Sequence, residues 1–389
     1  MSEEKKTSVL ILIPNFLPGY KMGGPLTSVL NLIDTLSTDF NFKVLTSDRD
    51  MGDEHPYPDL EFNQWIQKDN YEVCYVSAGF KKPFNLVKLI NAAKVDVVYL
   101  QSLFNPVFSI FILLAAKFGF LSAKKVLLAP RGETFDDALN FKPLKKNIFR
   151  WVAQRLNLFK KIAWHASTTI EKDLIVKNML VQAENVQIAI NLPQKSQAVN
   201  LENAKLPKEG DPFKLVFISR VSKDKNITYT FDILKEIKAD VQFDIYGPIE
   251  DEYIWDECQT KIKALPANIK VNYKGAVAKT EVKATFLQYD LMFLPTWAEN
   301  YGHAIVESLS VGTPVLISDN TPWKDLSSKG FGWEISLEDP SSFVKAMETM
   351  LSYSHGEKAA KRKKIIEDFQ VVLHDPKVIE ANKELFSIN

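Results

Sequence analysis

The sequence contains very little cysteine. Only Cys74 and Cys258 occur in 389 residues, far apart and without CxxC or Cys/His spacing. This excludes a disulfide-stapled scaffold and a Cys/His metal site, and it predicts free thiols in a reducing cytosol.

Net charge is also absent, because 48 basic and 48 acidic side chains cancel. No whole-molecule field steers the chain towards nucleic acid, so any attraction to an anion must be local.

Long apolar runs are missing as well. The most apolar later stretch, 106–118, is shorter than the roughly 20 apolar residues of a membrane-spanning helix. Acidic residues stand near the start, where a secretory signal would be basic, and the apolar run behind them breaks at Pro14. We therefore predict a cytoplasmic protein, with peripheral association at the inner face of the membrane left open.

What the sequence does contain is a repeated βα pattern. Short, β-branched apolar runs are each followed by a turn and a segment of helical period, which is typical of buried parallel strands in βαβ units. The predicted strands are 8–14, 42–47, 95–100, 125–130 and 161–165, then 214–219, 241–246, 269–273, 291–295 and 314–318; helices 25–36, 84–93 and 147–159 lie between the first set.

The pattern and the length predict two domains. A polar, aperiodic stretch separates the two sets of strands, and each half is long enough to bury its own core. We predict an α/β protein with two Rossmann-like, doubly wound parallel-sheet domains that face each other across a cleft. The predicted parts are an N-terminal domain (1–192), a linker (193–212), a C-terminal domain (213–372) and a C-terminal helix (373–389). One option for this last helix is that it packs back on the N-terminal domain.

Two loops at strand ends carry groups suited to an anionic ligand. Gly23 and Gly24 open a helix after the first strand, where backbone can approach a ligand closely and free N–H groups are available; a plain turn is the alternative. Arg220 and Lys225 follow the strand 214–219, where both could converge on a diphosphate. A solvated loop with lysines in water is the competing interpretation.

The strongest feature is a pair of carboxylates eight positions apart. Glu299 lies in the loop after the strand 291–295, Gly302 stands at a helix N-terminus, and Glu307 lies further along that helix. Carboxylates accept paired hydrogen bonds from hydroxyl-rich ligands, and the amides between them can bind a phosphate or sugar oxygen. A surface helix with scattered acidic residues would explain the same sequence pattern.

Together these motifs resemble the retaining glycosyltransferases of family 4, also called glycosyltransferase group 1, which have the GT-B fold. The resemblance runs in order from Val9 to about Trp333. It rests on the Arg220/Lys225 spacing, the Glu299/Glu307 pattern, the glycine loop, and the segments 129–132, 165–167 and 312–323.

The resemblance implies a role for each matching residue. Arg220 and Lys225 would hold the donor diphosphate, Glu299 would contact the donor sugar, and Glu307 would bind the nucleotide ribose. The remaining donor-binding positions implied are Val277 beside the nucleobase, Asn300, Tyr301, Gly302 and His303 at sugar and phosphate, and Gly23 and Gly24 from the opposite domain, which complete the site when the cleft closes.

The acceptor side departs from the family pattern. Many relatives have a His-x-His pair where this chain has Tyr99 and Gln101. Retaining members are generally thought to let the leaving diphosphate accept the acceptor's proton, so the departure need not abolish activity. The resemblance leaves Gln101, Arg131 and His165 as acceptor-side positions.

Asp48 and Asp50 have the DxD spacing by which another glycosyltransferase fold binds manganese. Three-letter matches are common by chance, and the relatives resembled here work without a catalytic metal. We therefore predict no metal and no cofactor; the nucleoside-diphosphate sugar is a substrate. A turn or a contact with the acceptor is the preferred role of the segment.

Residues 141–161 carry seven basic side chains and no acid, with aromatic residues between them. Such a surface suits contact with anionic lipid, as expected for a lipid-linked acceptor. A packed helix with a solvated basic face is equally consistent with the sequence of this segment. Nothing else in the chain supports nucleic acid as a partner.

We predict an enzyme that transfers a hexosyl group from a nucleoside-diphosphate sugar to a hydroxyl of a glycan or lipid-linked acceptor. The setting implied by the resemblance is cytoplasmic assembly of a surface polysaccharide or glycolipid. A nucleotide-sugar epimerase or hydrolase on the same scaffold is one alternative, and a non-catalytic sugar-binding protein is another.

Overall fold

The computed structural model describes residues 6–140, 143–195 and 204–388, apart from the side chain of Asp137. These residues fall into two units. One holds the residues up to 195 and those from Asp375 on, and the other holds those from 204 to His374. Residues 196–203 of the predicted linker, and residues 141 and 142 of the predicted basic segment, lie outside the described residues.

The first unit is a doubly wound sheet with strand order β3-β4-β2-β1-β5-β6-β7-β8, parallel except for the pairing of β3 with β4. Its strands are β1 (Ser8–Leu12), β2 (Asn41–Ser47), β3 (Trp65–Gln67), β4 (Tyr71–Val76), β5 (Val97–Leu100), β6 (Lys125–Leu128), β7 (Ala163–Ala166) and β8 (Val186–Ile188). Its helices are α1 (Gly24–Leu36), α2 (Pro83–Ala92), α3 (Phe111–Lys117), α4 (Asp136–Asn140), α5 (Pro143–Arg155) and α6 (Thr169–Met179).

Both faces of this sheet are buried. In β1, Leu10 and Leu12 point into one core cluster, whereas Val9 and Ile11 point into another on the opposite face. A strand covered on both sides must be apolar at successive positions, which is why the predicted strands read as continuous runs.

The second unit is a six-stranded parallel sheet with order β11-β10-β9-β12-β13-β14. Its strands are β9 (Phe213–Ile218), β10 (Val241–Tyr246), β11 (Ile269–Gly275), β12 (Leu291–Leu294), β13 (Val315–Ser318) and β14 (Gly332–Ile335). Its helices are α7 (Ile227–Leu234), α8 (Glu252–Lys263), α9 (Val282–Phe286), α10 (His303–Ser310), α11 (Pro340–Ser352) and α12 (His355–Leu373).

The predicted doubly wound α/β class is confirmed, and each predicted strand overlaps an observed one. Four strands were not predicted: β3, β4, β8 and β14. Strands β3, β8 and β14 lie at sheet edges and carry partly or fully exposed residues, so they lack a continuous apolar run. Strand β4 is different, because it is paired on both sides and its last four residues are buried and apolar; the prediction missed this strand.

The helix predicted at 147–159 is displaced. The observed α5 spans Pro143–Arg155, because proline is accommodated in a first helical turn and Asn157 adopts a positive φ of 48° just after the end. Within the described residues, no helix has both the length and the apolar character that a membrane crossing requires.

A last helix, α13 (Pro376–Glu384), belongs to the first unit. Asn382 donates a hydrogen bond to the carbonyl of Ile190 at 2.8 Å, and Lys383 pairs with Asp39 at 2.9 Å. Just beyond the helix, Phe386 is fully buried and packs edge-on against Phe42 and Tyr99. The end of the chain thus completes a core of the first sheet.

We expect Phe386→Ala to lower the free energy of unfolding by about 3–5 kcal/mol, since it leaves a cavity in a closed core. Phe84→Ala, at a position that is 78% exposed, should change it by about 0.5 kcal/mol or less. Urea unfolding followed by circular dichroism measures both. Equal midpoints for the two variants would contradict a core role for the segment after α13.

Candidate functional site

In the second unit, the predicted donor residues gather where the sheet reverses its strand order. β9 comes first in sequence; β10 and β11 extend the sheet on one side of it, and β12 to β14 extend it on the other. The loops after β9 and β12 therefore leave the same edge in opposite directions and open a crevice, the usual ligand position in such sheets. The sequence places Arg220 and Lys225 after β9 and Glu299 after β12.

The two loops are joined through Asp224. Its backbone carbonyl accepts hydrogen bonds from the N–H of Trp297 at 2.8 Å and from the hydroxyl of Thr296 at 2.9 Å. Its carboxylate accepts a hydrogen bond from Ser222 at 2.6 Å. This bracing fixes the spacing between the basic loop and the acidic loop.

Lys225 is buried within this junction, with 7% of its surface exposed. Its Nζ donates to Oε2 of Glu299 at 2.9 Å and lies 3.3 Å from Oδ2 of Asp224. Burial alone would lower the pKa of Lys225, but the charges of Glu299 and Asp224 outweigh burial and hold the pKa above its ordinary value. Lys225 is therefore a fixed cation in a poorly hydrated position.

Arg220 is the outer cation of the same loop and is exposed. Its guanidinium donates to Glu250 at 2.5 Å and lies 3.5 Å from Asp224. Both predicted diphosphate-binding cations are thus engaged by carboxylates in the unliganded protein. An incoming anion would exchange with those acids, and the exposed Arg220 pair is the weaker obstacle.

Gly302 shapes the start of α10. Its φ is 82°, and a Cβ at this position would lie 2.7 Å from a side-chain carbon of Ile305 and 3.3 Å from Glu299. The residue before it, Tyr301, is buried, and its carbonyl accepts a hydrogen bond from the indole of Trp323 at 2.6 Å. The positive φ favours glycine here, and the turn presents the first amides of α10 beside Glu299.

His303 and Asn300 complete this turn. The His303 ring packs edge-on against Tyr301, with ring centroids 4.8 Å apart. Asn300, Tyr301, Gly302 and His303 are thus brought together with Glu299 and Lys225 at the end of β12.

Glu307 lies one helical turn further along α10. Burial raises the pKa of its carboxyl to about 7, although Lys279 and Lys283 act in the opposite direction. Both lysines follow β11, as does Val277, which packs at the margin of the core. The segment after β11 therefore approaches Glu307, and a carboxylate able to accept two hydrogen bonds sits within a basic, poorly solvated setting.

The glycine loop belongs to the first unit. Gly23, with a φ of 62°, precedes α1 at the end of the loop that follows β1, and a Cβ there would meet no atom within 4 Å. Asp50 holds this loop, since its carboxylate accepts hydrogen bonds from the N–H groups of Tyr20 at 2.8 Å and Lys21 at 3.1 Å. The predicted contact of Gly23 and Gly24 with a donor stays a prediction.

The DxD acids are used within the first unit. Asp48 pairs with Arg49 at 2.9 Å and with Lys81 at 3.6 Å, while Asp50 anchors the glycine loop. In the described part of the chain, no group of three or more His, Cys, Asp or Glu side chains is arranged to hold a metal ion.

The predicted acceptor-side residues meet in one polar network. Arg131 donates to Gln101 at 2.8 Å and to the hydroxyl of Tyr99 at 2.9 Å. His165 is buried; its Nε2 donates to the carbonyl of Ala189 at 2.7 Å, so its Nδ1 accepts from Tyr99. Burial, assisted by Arg131, lowers the pKa of His165 to about 3, so the ring is neutral and fixes Tyr99.

Several members of these sites were not predicted from the sequence. Asp224, Glu250 and Asp50 pair with, or position, predicted residues, and Ser167 and Asn191 accept hydrogen bonds from Arg131. Each lies within a few residues of a strand's carboxyl end, so the end position itself was a usable signal.

Comparison with known proteins relates part of the chain to one family. Residues 199–368 match the family model described as glycosyl transferases group 1. An uncharacterized 41.2 kDa protein in the cps region of Klebsiella pneumoniae is 23% identical over 287 residues, covering 70% of this chain and 74% of that protein. The resemblance to group 1 glycosyltransferases is confirmed by the match of residues 199–368 to that family model.

Solved structures agree on the fold of the whole chain. Anabaena HepE, crystallised with UDP and glucose, is similar at a TM-score of 0.67 and 14% identity, over 97% of this chain and 98% of that one. WaaG, a glycosyltransferase involved in lipopolysaccharide biosynthesis, is similar at a TM-score of 0.64 and 11% identity, over 98% and 99%. The predicted GT-B fold is therefore confirmed.

We expect Glu307→Gln to stabilise the unliganded protein at pH 8 by on the order of 1–3 kcal/mol. Folding raises the pKa of Glu307 from its usual 4.5 to about 7, so the folded state binds more protons than the unfolded chain between these values. The stability contributed by this group is full at low pH and is lost as pH rises to about 7. The gain from Gln should therefore vanish near pH 4.

Thermal melts between pH 4 and pH 8 test this expectation. Glu348→Gln, at an exposed position of α11, is the matched control. A stabilisation by Glu307→Gln that is the same at both ends of the range would contradict a half-buried carboxyl group whose charged form is disfavoured.

Proposed function

We propose that the protein transfers a hexosyl group, with retention of anomeric configuration, from a nucleoside-diphosphate sugar to an acceptor hydroxyl. The observation that carries the proposal is the buried Lys225 at the switch point of the second sheet, within reach of Glu299 and flanked by Arg220. Cleavage of the donor places negative charge on the departing diphosphate. A fixed cation in a low-dielectric position stabilises that charge more than one in water.

The two carboxylates of the site, Glu299 and Glu307, suit the sugar and the ribose of the donor. Glu307, when ionised, can accept hydrogen bonds from the two ribose hydroxyls, and Glu299, which is hydrogen-bonded to Lys225, would contact the donor sugar. The HepE structure that shares this fold holds UDP and glucose, which supports a nucleotide-sugar donor here.

We further propose that the donor is held without a metal or cofactor. Asp48 and Asp50, whose spacing suggested a cation, are instead engaged by Arg49 and by backbone amides of the glycine loop. Two protein cations, Arg220 and Lys225, then supply the positive charge that a metal provides elsewhere.

The proposed setting is cytoplasmic assembly of a surface polysaccharide or glycolipid. The Klebsiella relative is a protein of a cps region, and WaaG is involved in lipopolysaccharide biosynthesis. Both support, for this chain, an acceptor that is a glycan or is linked to a lipid.

The surface of α5 supports a peripheral contact with membrane lipid. Leu144, Ile148 and Trp151 are 73%, 55% and 60% exposed and recur at the i, i+4, i+7 spacing of one helix face. No acid occurs in Pro143–Arg155, and Arg155 lies over the Trp151 ring, 5.6 Å from its centroid. An exposed apolar stripe with basic neighbours matches an anionic bilayer surface.

Removal of either donor-site cation should slow the reaction. We expect Arg220→Ala and Lys225→Ala each to cost about 2–4 kcal/mol of transition-state stabilisation, or roughly 30- to 1,000-fold in turnover. Lys223→Ala, an exposed lysine of the same loop, is the matched control and should leave turnover unchanged. The assay follows release of nucleoside diphosphate from a donor chosen by thermal shift against UDP, GDP and ADP sugars.

Two outcomes would overturn the proposal. No stabilisation by any nucleotide would favour a sugar-binding protein without a donor. Conversion of the donor without nucleoside diphosphate release would favour an epimerase. Because Arg220 is exposed, we expect Arg220→Ala to keep the fold. An unchanged turnover of this variant would therefore contradict the role assigned to Arg220 and Lys225.

For the membrane contact, we expect the double variant Ile148→Ser/Trp151→Ser to lower the partition coefficient onto phosphatidylglycerol vesicles by at least tenfold. Each apolar side chain contributes about 1.5–3 kcal/mol when it leaves water, and 1.4 kcal/mol is tenfold. Tyr253→Ser, 78% exposed on α8, serves as the control. Co-sedimentation that is equal for all three proteins would contradict a bilayer-binding role for α5.

A further inference from the structure

We propose that the first unit binds an oxyanion of the acceptor, a carboxylate or a phosphate, through Arg131; this rests on the proposed function and names the acceptor's chemical class. The site lies at the carboxyl edge of four consecutive parallel strands, β5 to β8. Gln101, Arg131, Ser167 and Asn191 each follow one of these strands by one to three residues. Parallel strands end at one edge, so the four side chains meet there.

The hydrogen bonds of Arg131 leave one donor available. Its Nε donates to Gln101 at 2.8 Å, and its Nη1 donates to Asn191 at 2.5 Å and to Ser167 at 3.3 Å. Nη2 donates to Tyr99 at 2.9 Å. A guanidinium carries five N–H donors, so one N–H on Nη2 makes no hydrogen bond within the described residues and remains for a ligand.

The charge of Arg131 is not balanced by these contacts. All four acceptor groups are neutral side chains, and they are buried. The acidic neighbour, Glu171, uses its two carboxylate oxygens to accept hydrogen bonds from the N–H groups of Gly132 and Ser167, each at 2.7 Å. A guanidinium rigidly held by neutral groups keeps its attraction for an external anion.

A second donor lies beside it. Within the described residues, Nε2 of Gln101 is buried and meets no partner with hydrogen-bond geometry, although the Tyr99 hydroxyl is near. The amide cannot simply flip, because its oxygen accepts from Arg131. A rotation of the Gln101 side chain as a ligand enters would bring this N–H to the same oxyanion.

The network is also preorganised from behind. Tyr99 donates to Nδ1 of His165, whose Nε2 donates to the carbonyl of Ala189. The Tyr99 oxygen is therefore oriented as an acceptor for Arg131, and the guanidinium lies 5.9 Å from the Tyr99 ring centroid. A site held in this way presents a fixed guanidinium to a ligand, which favours an oxyanion over a neutral hydroxyl.

The test uses Gln101→Glu in the full-length protein. This substitution keeps the size of the side chain and the oxygen that faces Arg131, but it adds a carboxylate that pairs with the guanidinium and repels an anion. Gln67→Glu, at an exposed position of β3 in the same unit, is the matched control. Arg131→Gln is the second variant, and it removes the charge itself.

Calorimetric titrations with D-glucuronate, inorganic phosphate and D-glucose are made in saturating UDP, so that the Lys225 site is occupied. We expect wild type and Gln67→Glu to bind one of the two oxyanions, which identifies carboxylate or phosphate, and to bind it in preference to glucose. Gln101→Glu and Arg131→Gln should bind it at least tenfold more weakly, with UDP affinity unchanged.

The inference is overturned if neither oxyanion binds wild type, or if Gln101→Glu binds the oxyanion as well as wild type does. UDP binding is measured first in the same samples. Its absence would overturn the proposed function, whereas the oxyanion titrations report on Arg131 alone.

Discussion

The candidate site depends on one buried ion pair. Lys225 cannot remain charged in a nearly closed position without a carboxylate, and Glu299 provides it from the neighbouring loop at 2.9 Å. The pair joins the loop after β9 to the loop after β12, which are the two loops that diverge at the switch point of the sheet. The ion pair with Glu299 thus holds the Lys225 ammonium group at the position where we propose that an anionic ligand binds.

The same geometric constraint organises both units. In each sheet the first strand lies in the interior, and the strand order reverses beside it. The glycine loop follows β1 and Gln101 follows β5 at the first switch point, while Lys225 and Glu299 flank the second. Polar side chains concentrate at these edges because parallel strands buried on both faces leave their carboxyl ends as the place for chemistry.

The sequence was most informative where strands are buried on both faces. Continuous apolar runs predicted most of the central strands, whereas β3, β8 and β14 were missed because their residues are partly exposed. The exception is β4, which was missed although its residues 73–76 are buried in the clusters on both faces of the sheet. The position of Gly302 at a helix start was also predicted, and its φ of 82° is a conformation that favours glycine.

Partners across the fold could not be read in the same way. Nothing in the local sequence indicates that Asp50 holds the glycine loop, that Glu250 engages Arg220, or that Asn191 meets Arg131. Each contact joins segments at least 29 residues apart, and only the sheet topology brings them together. The raised pKa of Glu307 likewise depends on tertiary burial.

A crystal structure of the protein soaked with UDP tests the central claim most directly. The account predicts the diphosphate at Nζ of Lys225 and the guanidinium of Arg220, with the ribose hydroxyls at the carboxylate of Glu307. UDP bound elsewhere, with the Lys225 to Glu299 pair undisturbed and Glu307 free of contact, would contradict it.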